Sequence, residues 1–211
     1  CSAPAESESG AALPDVVGSM DIRYAEQFSV DYLADGSALA EVADGRRYLI
    51  IPDGGEVPEQ LPEDVTVISQ PENIYLASSS SMDLFSSLDC LGDILASSTP
   101  ESGWKLPEIA QAMADEDILY AGKYSSPDIE LLMSEGCDLA IENMMIYHSP
   151  KTAEQIESCG IPVFIERSSA ESHPLGRLEW VRLYGLMLGK SDEAEKFFSE
   201  KCSLLLSLIH I

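Results

Sequence analysis

Three short runs in which apolar and polar residues alternate begin at Phe28. They are Phe28-Ser29-Val30-Asp31-Tyr32-Leu33, Ala38-Leu39-Ala40-Glu41-Val42 and Arg47-Tyr48-Leu49-Ile50-Ile51, with Asp35-Gly36 and Asp44-Gly45 between them. Asp-Gly between alternating runs is a strong local hairpin signal, because glycine accepts the positive φ of a tight turn. Three antiparallel strands are therefore predicted. Residues 52–64 are rich in proline and acid and carry no period, which reads as a connection; residues 65–68 and 73–77 supply two further strands. Four serines follow, and then Met82, Phe85, Leu88 and Leu91 recur at helical spacing, with Ser81 placed to cap and Gly92 to terminate. A second strand, turn and helix unit runs through 118–121, 122–127 and 128–135 and stops at Gly136. After it come a strand over 137–142, a helix opened by Ser149-Pro150 and closed at Gly160, and a strand over 161–166.

Short apolar strands alternating with helices imply an α/β fold: a Rossmann-like lobe over residues 21–169, with a mainly parallel sheet covered on both faces and an antiparallel hairpin region at its start. Residues 170–205 read as two helices. The first spans 175–188 and breaks at Gly189; the second starts near Asp192 and carries Ala194, Phe197, Phe198 and Cys202 on its apolar side. Phe197 and Phe198 are expected to find little cover within this chain. Residues 206–211, Leu206-Ser207-Leu208-Ile209-His210-Ile211, match one frame of a sequencing-library adaptor and are set aside from the fold reading.

The chain has 211 residues, 45% of them hydrophobic, which is enough for a good core. Its 12 Lys and Arg against 37 Asp and Glu give a formal charge of -25, which repels nucleic acid and anionic lipid surfaces alike. No apolar stretch is long enough to span a bilayer. Cys90, Cys137, Cys159 and Cys202 show no C-x-x-C spacing, and His148, His173 and His210 form no H-x-x-x-H pair, so a zinc site has no support. Cys1 is different. The small, polar stretch that follows it reads as a tether over residues 1–20, and the start resembles a mature bacterial lipoprotein whose first Cys carries the lipid. The alternative is a chain start that falls on Cys by chance. With the anchor, the folded part sits outside the cytoplasmic membrane and touches the bilayer through lipid only.

The segment Tyr124-Ser-Ser-Pro-Asp-Ile-Glu-Leu-Leu-Met-Ser-Glu-Gly-Cys-Asp-Leu-Ala-Ile-Glu142, followed by Gly160-Ile-Pro-Val-Phe-Ile-Glu166, resembles the periplasmic binding proteins for iron siderophores, haem and cobalamin. Asp128 stands where that pattern has Asn, and Gly136-Cys137 where it has Lys-Pro. The resemblance covers about residues 43–205. It implies two lobes joined by a long helix, with this chain truncated in that helix and ligand held in the cleft between lobes. It also implies the function: the substrate-binding component of an ABC importer, a monomer without a cofactor, that captures an iron chelate, a siderophore ahead of haem or cobalamin, and delivers it to a permease and its ATPase. Glu130 matches the family's permease-docking Glu, although an exposed acid in the first turn of a helix also suits the helix dipole.

Ligands of such sheets sit at the carboxyl ends of the strands, here the turns after Ala77, Ala121, Ile141 and Ile165. The candidates there are Ser80, Ser81, Met82, Lys123, Tyr124, Glu142, Asn143, Met144, Arg167, Ser168 and His173. Met82 and Met144 suit haem iron or a flat macrocycle, while Met82 also begins the apolar stripe of its helix. Tyr124 suits iron or a ring, or is a core residue with a wet end. Arg167 and Lys123 suit anionic chelate oxygens or simple solvation. His173, before Pro174, is a ligand or a helix-entry cap. Nucleophile-elbow, Walker, dinucleotide and zinc-protease motifs are absent, so an enzyme is not expected. A flavodoxin-like or nitrogenase-component-like enzyme and a non-transport surface lipoprotein are the alternatives.

Overall fold

A computed structural model describes residues 12–209. Strands β1 (Val16–Ser19), β2 (Phe28–Leu33), β3 (Ala38–Val42), β4 (Arg47–Ile51) and β5 (Val65–Ser69) form one sheet in sequence order. The first three pairings are antiparallel, and Gly36 and Gly45 turn the two expected hairpins at a φ of 88°. β4 and β5 run parallel, joined by the exposed connection over 52–64 with no helix in it. Strand β1 falls inside the stretch read as a tether through residue 20, so pairing begins earlier than expected. Its residues face solvent on both sides, which removes the alternation by which a strand is recognised. Cys1 and its lipid lie outside the described residues.

The second half alternates as anticipated. It contains β6 (Ile74–Leu76), α1 (Met82–Ser87), β7 (Ile94–Ser97), α2 (Pro107–Ala114), β8 (Leu119–Tyr120), the small hairpin β9 (Gly122–Lys123) and β10 (Ser126–Pro127), α3 (Ile129–Ser134), β11 (Leu139–Asn143), α4 (Pro150–Ser158) and β12 (Val163–Glu166). The main sheet has the order β12-β11-β6-β7-β8, and every pairing in it is parallel. The chain steps outward from β6 to β8 and then crosses back to the other side of β6 at β11. The fold class is thus the expected one, with an antiparallel region at its start and long helices at its end.

Helices α5 (Pro174–Met187) and α6 (Ser191–Ile209) complete the described chain. One core lies between the two sheets and takes in α5: the Trp180 ring sits 5.0 Å from Phe28 of β2 and 6.2 Å from Phe164 of β12. Truncating so large a buried aromatic typically costs about 3–5 kcal/mol. A second core, built on Tyr75, Ala140, Val163 and Ile165, covers the opposite face of the parallel sheet under α3 and α4. Helix α6 folds back on α5 so closely that a Cβ on Gly185 would stand 2.3 Å from that of Ala194. This corrects the expectation for the last helix. Phe198 is buried against α5, and Phe197 is half-buried beneath the Lys201 ammonium.

Two carboxylates fasten the segment before β2 onto this frame. Buried Glu179 of α5 accepts from the backbone N–H of Arg23, Tyr24 and Ala25 at 2.9, 2.7 and 2.9 Å, and Arg182 stands 3.1 Å away. Glu171 accepts from the N–H groups of Glu26 and Gln27 and from the Trp180 indole. Among the described residues no helix is long and apolar enough to cross a membrane.

Candidate functional site

The point where strand order reverses, between β6 and β11, is where an open parallel sheet leaves a crevice, because the connections on its two sides depart in opposite directions. Here that crevice is a groove of about 240 Å³ between two turns. Ser78, Ser79 and Ser80, after β6, form one wall; Asn143, which ends β11, and Met144 and Met145 after it form the other; Ser169 also lines the groove.

Each wall is held from below. The Asn143 carboxamide donates to the carbonyl of Ala77 at 3.2 Å and accepts from the N–H of Met145 at 2.8 Å, so a single side chain ties both turns together. Glu166, buried at the end of β12, accepts from the Ser78 hydroxyl at 2.8 Å, the Ser80 hydroxyl at 3.3 Å and the Ser168 N–H at 2.6 Å. The Ser78 and Ser80 hydroxyls are thus held by Glu166. With the Asn143 carboxamide and two thioethers, the lining combines hydroxyl groups with soft, polarisable surface, and no charged side chain is part of it.

Of the residues singled out from the sequence, Ser80, Asn143 and Met144 come together in this groove. Ser81 and Met82 do not reach it. Ser81 is buried with its hydroxyl 2.9 Å from that of Tyr184, and Met82 is wholly inside the core, since the first turn of α1 faces the inter-sheet layer. Ser168 is buried as well, and its backbone serves Glu166. Arg167 is turned toward the first sheet: it donates to Gln27 at 3.1 Å and to the Tyr147 hydroxyl at 3.1 Å, and its guanidinium lies 5.9 Å from the Tyr147 ring centre. The Tyr147 hydroxyl in turn donates to Asp44. Partial burial and this carboxylate push the Tyr147 phenol up. Lys123 is exposed on the β9–β10 hairpin, and Tyr124 is half-buried there against the second core. His173 is exposed, accepts from the N–H of Leu175 at 3.0 Å and stacks on Tyr24, so its cap reading is the one realised. Glu130 stands exposed in the first turn of α3, whose cap is Asp128.

Glu142 differs from all of these. It is fully buried, neither carboxyl oxygen has a hydrogen-bond partner among the described residues, and burial pushes its pKa up to about 8. Glu166 and Ser169 were missed as site residues. A Glu that closes the otherwise apolar strand Val-Phe-Ile-Glu was the available signal for the first. Among the described residues, no group of three or more His, Cys, Asp or Glu side chains is placed to hold a metal ion.

No family model matches the chain. An uncharacterized lipoprotein of Methanocaldococcus jannaschii is 23% identical over 173 residues, which is 75% of this chain and 40% of that one. Among solved structures, the petrobactin-binding protein YclQ of Bacillus subtilis is similar with a TM-score of 0.52 at 13% identity, over 78% of this chain and 49% of that one. A periplasmic binding protein of Veillonella parvula gives 0.54 at 18% identity, over 72% and 51%. The periplasmic haem-binding protein HutB of Vibrio cholerae gives 0.53 at 17%, over 65% and 49%. The likeness is one of fold, and the chain spans about half the length of these proteins.

Proposed function

We propose that this chain is a ligand-catching lobe of the substrate-binding component of an ABC importer, held outside the cytoplasmic membrane by lipid on Cys1, and that it takes a metal chelate in the crevice between β6 and β11. The observation that carries the reading is the crevice itself: it sits at the reversal of the parallel sheet, in a fold shared with petrobactin- and haem-binding proteins. Siderophore, haem and cobalamin are the chelates to test. A second lobe would form the facing wall of the cleft. Glu130 is proposed to dock on the permease, since a rim charge sets registry without touching the ligand.

Calorimetry of the 211-residue chain against ferric siderophores, haem and cobalamin tests the reading, with Asn143→Ala and Arg167→Ala as comparisons. One chelate is expected to bind, Asn143→Ala to weaken it about tenfold or more through loss of both turn contacts, and Arg167→Ala to change it less. If no member of the panel binds, the substrate class is wrong; if Asn143→Ala binds as well as wild type, the crevice is misplaced.

A further inference from the structure

Glu142 has no part in the groove lining, yet it is the last β11 residue before Asn143, the side chain that ties the two crevice turns together. In the parallel register Glu142 lies opposite Ile165, and Ala140 opposite Tyr75, so Glu142 projects from the face that carries Ala140, Tyr75 and Ile165. That face is the second core. Ile146, in the short 3-10 turn Met144–His148 that forms one wall of the groove, is buried in the same cluster.

Both oxygens of Glu142 and the Tyr75 hydroxyl are buried without a hydrogen-bond partner among the described residues. A carboxylate in such surroundings, with neither donor nor cation, is far less stable than the neutral acid. We propose that Glu142 is carried as a protonated carboxylic acid at the root of the crevice, and that losing this proton releases the Met144–His148 turn so that the group can reach water. The groove wall is then locked in acid and loosened as pH rises.

The surroundings leave burial as the driving force. Tyr75 of β6 is the titratable group that faces Glu142, and it is itself pushed up by burial first and by Glu142 second. Behind Tyr75 stand Cys137, whose thiol burial pushes up to about 11, and Tyr120. Helices α3 and α4 contribute Leu132, Ala153 and Ile156 to this core, and the strands contribute Ala77, Ala96, Ala121 and Val163, none of which is charged. The shift of Glu142 has burial as its one cause.

The test is amide hydrogen exchange of residues 142–149 in the 211-residue chain between pH 5 and 9, corrected for the intrinsic pH dependence of exchange. Because the group titrates at about 8 when enclosed and about 4.5 in water, the opening equilibrium of this turn is expected to rise about tenfold per pH unit and level off above pH 8. In Glu142→Gln, which cannot ionise, the rise is absent. A flat wild-type profile, or an unchanged slope in Glu142→Gln, overturns the proposal. Carbon-13 NMR of glutamate carboxyls in the wild-type chain needs no variant: one carboxyl titrating above pH 7 is expected, and none doing so overturns it. Neither measurement uses a ligand, so failure here leaves the transport reading standing, and failure of ligand binding leaves this one.

Discussion

Glu179 on α5 and Glu142 at the end of β11 are equally hidden from solvent, yet their surroundings are opposite. Three backbone N–H groups and a guanidinium converge on Glu179, whereas no donor among the described residues reaches Glu142. Burial alone therefore does not say what a glutamate does. Glu179 replaces water for an irregular segment whose amides would otherwise be stranded, and so it acts as structure. Glu142 satisfies nothing and is satisfied by nothing, so the fold carries it at a cost.

The hardest test of the contrast is Glu179→Ala. It strands the N–H groups of residues 23–25 and one partner of Arg182, and should destabilise the protein by about 3–5 kcal/mol in urea unfolding. A smaller, opposing lever is pH. Glu142 binds its proton more tightly in the folded chain, so its contribution is complete below about 4.5 and lost as pH climbs to about 8. At about 1.36 kcal/mol per unit, wild-type stability should drop by roughly 2.7 kcal/mol between pH 5 and 7 relative to Glu142→Gln, measured by the same unfolding. The mildest is Glu142→Leu. Replacing an unsatisfied acid by an apolar group of similar size should stabilise the chain by about 1–2 kcal/mol at pH 4, where the acid is neutral whether enclosed or exposed. A loss there would mean that the two glutamates are alike after all.

Much of the fold was legible because its signals are local. Asp35-Gly36 and Asp44-Gly45 announce their hairpins, and Ser149-Pro150 with Gly160 brackets α4. β7 was not legible, since four residues buried on both faces show no period that separates strand from helix. Helix α2 escaped notice although Pro107 marks its first turn. The site divides in the same way. Asn143 and Met144 follow from the rule that ligands meet strand ends, but the inward turn of Ser81 and Met82 depends on how α1 is rolled over the sheet, which is a tertiary fact. Glu171 and Glu179 were invisible because a lone Glu is taken as solvated until a donor cluster is seen around it.

The connection over 52–64 gives the molecule a natural place to be cut. It is mostly exposed, contains no helix or strand, and links β4 to β5, which are already hydrogen-bonded side by side from Arg47 against Val65 to Ile51 against Ser69. A protease nicking there severs the chain but not the ladder, and Ile50 and Ile68 remain in the shared core on either side of the break. The protein would then behave as two fragments that travel as one: a single species in native chromatography, two bands once denatured, and a pair able to reassemble when expressed apart.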